Sequence, residues 1–442
     1  MVDEDLTGLV VARARSSAQR WREVDERVRQ CLLDWLGVIL AADVRPLARS
    51  VRAAGRGSAT DLRTGDRLPP QSAARVNAAY AHQLDFDDFH LGVPGHASAA
   101  VIGAALATAE SRDAALGELF AAITAGVEAV VALGSAYGAA LFTRGWHPTA
   151  VLGSIGAAIA SAQLFGADTR SMKDAVGLAG LQASGTMAGF GSIGKPWQVG
   201  CAARNGVEAA VAAVEGSWTL PDVLSGPSGV LRLMTDVEEP DLGTGERIAI
   251  ADTQFKYYAT CFGTHAAIRA AQSIARSHEI SPETISSVDV AIGRDFEHVV
   301  INPAPSTLLQ AKFSVSAVVA MSLLGMPPVV PDFFSDEISR DPAYRSLEAA
   351  TRARAADDID GGGARVVVTT RRGDVYERLQ AESRPTSAGD EWPAVEEKFR
   401  VLAGSAGAEA EQVRLKVREA DEATPVSDLI SSFNGLTGSW EH

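Results

Sequence analysis

Between Ala97 and Phe165 the chain is built almost entirely from small and aliphatic side chains, in three Ala- and Gly-rich runs, Ala97–Glu110, Ala114–Ala139 and Thr149–Phe165. None of them alternates apolar with polar residues, as a half-buried strand would. Ala is the best helix former, and small side chains let helix axes approach closely. The stretch therefore predicts a tightly packed helical core. The flanking segments agree. Trp21–Ala41 sets Val24, Val28, Cys31, Leu32 and Trp35 at three- and four-residue steps, and Ser72–Leu84 and Cys201–Glu215 also read as helices. Asp168 and Thr169 stand where a further helix would be capped. The segment most like a membrane span, Leu119–Phe142, carries Glu128 at its middle, so it reads as a core helix and no membrane is expected.

The texture changes near residue 256. Ser287–Ile292 alternates, and Ala364–Thr370 with Asp374–Leu379 across Arg371-Arg372-Gly373 reads as a hairpin. Helices at Phe262–His278 and Ser314–Leu324 accompany these strands. Ser383–Asp390 is a linker by composition, and Trp392–Ala403, Ala408–Ala420 and Ser427–Phe433 return to helix. At 442 residues the chain exceeds a single core. The expected architecture is mainly α: a large all-helical domain from residues 1–255 and 390–442, and a smaller α+β domain at 256–389.

The net charge of −15 and the absence of a Lys/Arg run exclude nucleic acid as the expected partner. Cys31, Cys201 and Cys261 lie far apart, which argues against a disulfide framework, a zinc site or a clustered iron–sulfur site. With an acidic Met1–Asp5 and no apolar segment directly after it, the expected compartment is the cytoplasm.

Four segments concentrate chemistry. The first is Ala81-His82-Gln83-Leu84-Asp85-Phe86-Asp87-Asp88-Phe89-His90, followed by Gly95-His96-Ala97-Ser98. So many carboxylates and imidazoles are costly to bury without a purpose. They read as a catalytic loop, a divalent-metal site, or capping carboxylates with solvent-facing histidines. The second, Arg144-Gly145-Trp146-His147-Pro148-Thr149, puts His147 at a helix N-terminus, where the dipole favours an anion and a neutral imidazole; the alternative is a turn histidine packed on Trp146. The third, Gly189-Phe190-Gly191-Ser192-Ile193-Gly194-Lys195-Pro196, is literally GxGxxG, yet no buried strand precedes it and Pro196 replaces the hydroxyl residue of a P-loop. A glycine loop whose amides and Lys195 contact a carboxylate is the stronger reading, and a plain connector the other. The fourth, Phe255-Lys256-Tyr257-Tyr258-Ala259-Thr260-Cys261-Phe262-Gly263-Thr264-His265, opens a helix at the expected domain junction. Only six of the 40 cationic side chains are lysines. Lys195 and Lys256, flanked by Gly or aromatics, suggest roles that a guanidinium cannot fill, because an ammonium can shed its proton when desolvated. Lys312 fits less well, and Lys398 and Lys416 read as helix surface.

Taken together, these segments resemble the MmgE/PrpD family, whose activities include 2-methylcitrate dehydratase, cis-aconitate decarboxylase and iminodisuccinate epimerase. The resemblance rests on five ordered motifs: LDFDD with GHAS, GWHPTAVLG, GKPWQVGCAARNG, FKYY with GTH, and AKFSVSAVVAMSLL. It implies a helical domain made from both chain ends, a smaller α+β lid, a homodimer, and catalysis without metal or organic cofactor on a small polycarboxylate at a site between domain and lid. By position it implies Asp85, His96, His147, Lys195 and Lys256 as catalytic residues. Phe89, His90, Gly194, Tyr257 and His265 are candidate substrate contacts, and Lys312 lies in a matching motif. Two departures stand out. Phe89 occupies a position where relatives often carry a small hydroxyl residue, and the segment from Asp85 to His96 is longer than in the decarboxylase.

A proton α to a carboxylate is weakly acidic, so its removal needs a tuned base and cations on the developing enediolate. His96 and His147 are the expected proton carriers, oriented partly by Asp85, with Lys195 and Lys256 binding carboxylates. The expected activity is a dehydratase- or decarboxylase-type lyase. An epimerase of an iminodisuccinate-like compound and a non-catalytic carboxylate-binding protein are the alternatives, the latter favoured by Phe89.

Overall fold

The computed structural model describes residues 5–44, 55–216, 218–278, 280–382 and 387–438. The chain divides into two compact units, one from residues 1–83, 87–255 and 386–442, the other from 84–86 and 256–385. The architecture is mainly α with a smaller α+β unit, as the sequence predicts.

In the first unit the helix Pro148–Leu164 is central, packed by Leu116–Thr143, Ala99–Ser111, Thr169–Leu181 and Gly194–Glu215. Glycine makes these approaches possible. A Cβ on Gly126 would stand 2.7 Å from the Gly156 carbonyl oxygen, and one on Gly206 2.6 Å from the Ala158 nitrogen. Leu116–Thr143 is long and apolar enough to cross a membrane, but 83% of its most apolar window is buried in the unit. Its Glu128 accepts the Ala249 N–H at 2.7 Å and pairs with Arg13, so the helix serves as core. Asp168 caps Thr169–Leu181 by accepting from the Ser171 N–H.

Four local expectations need correction. A two-residue antiparallel pair, Ala59–Thr60 with Arg67–Leu68, sits in the half expected to be purely helical. The helix expected at Cys201 begins at Gly194, so Lys195 and Pro196 form its first turn; proline is tolerated there because first-turn N–H groups have no intrahelical partner. Of the expected linker Ser383–Asp390, residues 383–386 lie outside the described residues, and Ala388 already opens a helix to Ala403 that Ser387 caps. That helix packs on Asp25–Leu40, and Lys398, expected on the surface, is buried with its Nζ 2.6 Å from Asp34.

In the second unit a four-stranded sheet runs in the order Thr351–Ala355, Ile285–Ile292, Ala364–Thr370, Val375–Gln380. The first pair is parallel and the rest antiparallel. The hairpin turn carries Gly373 at φ 91°, which glycine adopts without steric cost. Thr351–Ala355 goes unpredicted because it alternates with arginines and reads as polar surface. Helix His265–His278 packs on the hairpin strands and on Val315–Leu323. The stretch Leu84–Phe86 joins this unit although it lies within the range expected for the helical domain. Lys312 donates to the Leu84 carbonyl at 2.7 Å, and Lys256 to the Asp85 carbonyl and carboxylate at 3.0 Å each.

Candidate active site

In the helical unit three imidazoles converge. His82 lies at the C-terminal end of helix Pro70–Gln83, and His96 just ahead of helix Ala99–Ser111. His147 is the N-cap of Pro148–Leu164. The residues leading to His96 are tied down locally. The His90 N–H donates to Gly95, and the His96 N–H donates to the Thr149 hydroxyl, at the start of the helix that His147 caps. The His82 and His96 rings meet edge to face at 4.5 Å, and His82 stacks on His147 at 5.6 Å.

Asp87 links two of these rings. Its Oδ2 is 2.9 Å from His82 Nδ1 and 3.1 Å from His96 Nδ1. Burial opposes its ionisation, but the two histidines prevail and hold the carboxyl well below its ordinary value. His147 has no carboxylate; its Nδ1 faces Gln198 Oε1 at 3.2 Å. Burial, then the charge of Lys195, pushes His82 down to about 3. Burial and the neighbouring His82 and Lys195 hold His147 well below the usual imidazole value. Burial is thus the leading reason that His147 is neutral. Lys195, itself buried, stands 5.4 Å over the Phe190 ring, whose edge also meets His147 at 5.0 Å.

Behind this group lies a second buried layer. Asp88 accepts from the Ser98 hydroxyl and is pushed up to about 7 by burial, while burial raises Asp34 to about 6 against the pull of Lys398. Phe89 pairs through its backbone with Gln254 and sets its ring against His96 at 5.9 Å, so an apolar surface stands beside that imidazole. Both ring nitrogens of His90 are engaged by main chain: Nε2 donates to Ala249 and Nδ1 accepts from Gly92. Gly194 is half-buried, and its N–H donates to the Ser192 hydroxyl.

In the α+β unit Lys256 and Asp85 form a fully buried pair. Asp85 adopts φ 52°, a left-handed conformation uncommon for a side chain other than glycine, and two of the three Lys256 donors hold it there. His265 donates to the Thr260 carbonyl at 3.2 Å and packs between Tyr258 and Phe262; burial and the Lys256 charge push it down to about 3. Tyr257 is half-buried. Lys312 donates to the carbonyls of Leu84, Ala259 and, at 3.4 Å, Pro331.

Of the residues singled out in the sequence, the structure gathers His96, His147, Lys195 and Phe89 in one unit, and Asp85, Lys256 and His265 in the other. Sequence reasoning passed over His82, Asp87 and Gln198. The spacing from His82 to Asp87 and from Lys195 to Gln198 carried a signal, because polar residues repeated within a few positions of known candidates. The donor atoms of His82, Asp87 and His96 all lie within 4.8 Å of one another, so a divalent ion could also gather them. The 2.9 Å contact from His82 Nδ1 to Asp87 is a hydrogen bond that a proton satisfies without an ion, and the 3.1 Å contact from His96 Nδ1 is an ion-pair distance.

Comparison with known proteins gives a consistent picture. The family model for the MmgE/PrpD N-terminal domain matches residues 5–243, and that for the C-terminal domain matches residues 258–422. Cis-aconitate decarboxylase of Aspergillus terreus is 26% identical, covering 93% of this chain and 92% of its own length. A cis-aconitate decarboxylase-like protein of Aspergillus oryzae is 26% identical with 93% of each chain covered. Mouse cis-aconitate decarboxylase is 29% identical over 64% of this chain and 60% of its own.

Proposed function

Because the chain belongs to the MmgE/PrpD family, we propose that it is a cofactor-independent lyase that removes CO2 or water from a small tri- or dicarboxylate by proton transfer. The observation that carries the mechanism is the buried trio His82, His96 and His147, with Asp87 on two rings and the Lys195 ammonium beside them. The activity named for the relatives supports a decarboxylase- or dehydratase-type reaction on a carboxylate.

In decarboxylation the C–CO2 bond breaks, and its electron pair passes onto a carbon conjugated with a remaining carboxylate. That carbon then takes a proton from an imidazolium. In dehydration an imidazole removes the α-proton and an acid protonates the departing hydroxyl. Both need neutral imidazoles that can be charged transiently, and a cation on the enediolate. We assign the proton transfers to His96 and His147 and the charge stabilisation to Lys195. Lys256 spends most of its hydrogen-bonding capacity on Asp85, so its part is to shape that segment. Phe89 puts an apolar wall beside His96 and favours a substrate with hydrogen or an alkyl group, rather than a hydroxyl, at that position.

The test is a panel of cis-aconitate, citrate, 2-methylcitrate and substituted succinates, followed for CO2 release and for new unsaturation. Either product supports the reading. Change in optical rotation alone would assign the protein as an epimerase, and thermal stabilisation by these acids without turnover would assign it as a carboxylate binder. A homodimer in the cytoplasm completes the proposal; light scattering reads the first part.

A further inference from the structure

Two of the three buried imidazoles hydrogen-bond through Nδ1 to an oxygen that can only accept. Asp87 Oδ2 is hydrogen-bonded to His82 Nδ1 at 2.9 Å and lies within ion-pair distance of His96 Nδ1, at 3.1 Å, and the carboxyl is held ionised by those rings. An ionised carboxylate offers no proton, so His82 Nδ1 supplies one. The His147 ring meets an amide rather than a carboxylate, and the orientation of that amide is fixed from its other end. Gln198 Nε2 donates to the Thr186 carbonyl at 3.0 Å, which leaves Oε1 toward His147 Nδ1 at 3.2 Å. In a neutral imidazole one nitrogen carries the proton and the other a lone pair. Nε2 of His82 and of His147 are both buried and have no hydrogen-bond partner among the described residues.

We infer that Asp87 and Gln198 are positioning residues that lock His82 and His147 in the Nδ1–H tautomer, so that each of these two rings presents Nε2 as a proton acceptor. Both rings then rest as bases and not as acids. Any proton delivered to a product carbon or a leaving hydroxyl by either ring has first been taken up at its Nε2. The two clamps also differ. A proton added to His82 is balanced by a carboxylate, whereas one added to His147 meets a neutral amide and the Lys195 charge. The kinetic half of this inference rests on the lyase reading; the tautomer half does not.

Histidine-selective nitrogen-15 NMR of the full chain tests it, with rings assigned by single His→Gln variants. The expected result is a protonated Nδ1 on His82 and His147 at neutral pH. Asp87→Asn should move the proton of His82 to Nε2 and leave His147 alone. Gln198→Leu should do the converse. With a turned-over substrate, Gln198→Leu should lower kcat about 100- to 10,000-fold with KM changed less than about threefold, as leaving the wrong histidine tautomer does in serine proteases. Protonated Nε2 in the unmodified protein, or tautomers unchanged in both variants, would overturn the inference. Correct tautomers in a protein that turns over none of the acids would leave it standing and sink the lyase reading instead.

Discussion

Replacing Lys312 by methionine separates a structural lysine from a substrate-binding one. The residue is 1% exposed, and its ammonium donates to the carbonyls of Leu84 at 2.7 Å and Ala259 at 2.8 Å, with Pro331 more distant at 3.4 Å. Methionine nearly matches the length, so the cavity cost is small. What is lost is two short charge-assisted hydrogen bonds, and what is left is two carbonyls stripped of a donor. Each stranded acceptor costs about 1–3 kcal/mol, and breaking a buried charged arrangement from one side costs about 3–5 kcal/mol. The expected destabilisation of the α+β unit is therefore about 3–5 kcal/mol. Lys416 provides the control, because it too donates to a carbonyl, that of Asp428 at 2.8 Å, but from an exposed position. Lys416→Met should cost less than about 0.5 kcal/mol. All seven tryptophans lie outside residues 256–385, so fluorescence does not watch this unit. Native-state hydrogen exchange by mass spectrometry, on peptides from 84–86 and from 256–382, does. A loss below about 1 kcal/mol in Lys312→Met would mean that the ammonium does not hold Leu84, and the account of why Leu84–Phe86 joins this unit would fail.

Lys195→Arg should lower kcat/KM at least about 100-fold in a steady-state assay, since a planar guanidinium does not occupy an ammonium's place over Phe190; near-normal turnover would make it a mere surface-type charge. Gly206→Ala should destabilise the helical unit by about 1–3 kcal/mol, because the new Cβ would meet backbone of the Pro148–Leu164 helix, the Ala158 nitrogen at 2.6 Å and the Ala157 carbonyl carbon at 2.7 Å. Tryptophan fluorescence in urea reads that change, and a gain in stability from the better helix former would refute the packing argument. Exhaustive chelation, checked by elemental analysis, should leave kcat unchanged; loss of activity restored by one divalent ion would turn His82, Asp87 and His96 into ligands.

Much of the fold was legible because helical periodicity and small-residue runs act locally. The core helices from Ala97 to Phe165 and the hairpin at Arg371-Arg372-Gly373 needed no distant partner to be read. What escaped depends on distant partners. Lys398 looks like surface until Asp34, far away in sequence, supplies its counter-ion. Thr351–Ala355 is a strand only because Ile285–Ile292 pairs with it. At the site, motif spacing pointed to His96, His147 and Lys195. It did not show that Asp87 rather than Asp85 meets the imidazoles of its unit, because residues two apart in one loop belong to different units. Asp85, in its left-handed conformation, is held by Lys256, and Asp87 by His82 and His96.

The most direct test of proton transfer as the central chemistry is turnover of the acid panel in heavy water, read by mass spectrometry. One solvent-derived deuterium is expected on carbon, in the product where CO2 is lost and in recovered hydroxy acid where water is lost. His147→Ala should suppress that incorporation about 100- to 10,000-fold. Turnover without solvent-derived hydrogen on carbon, or incorporation at the unmodified rate in His147→Ala, would contradict it.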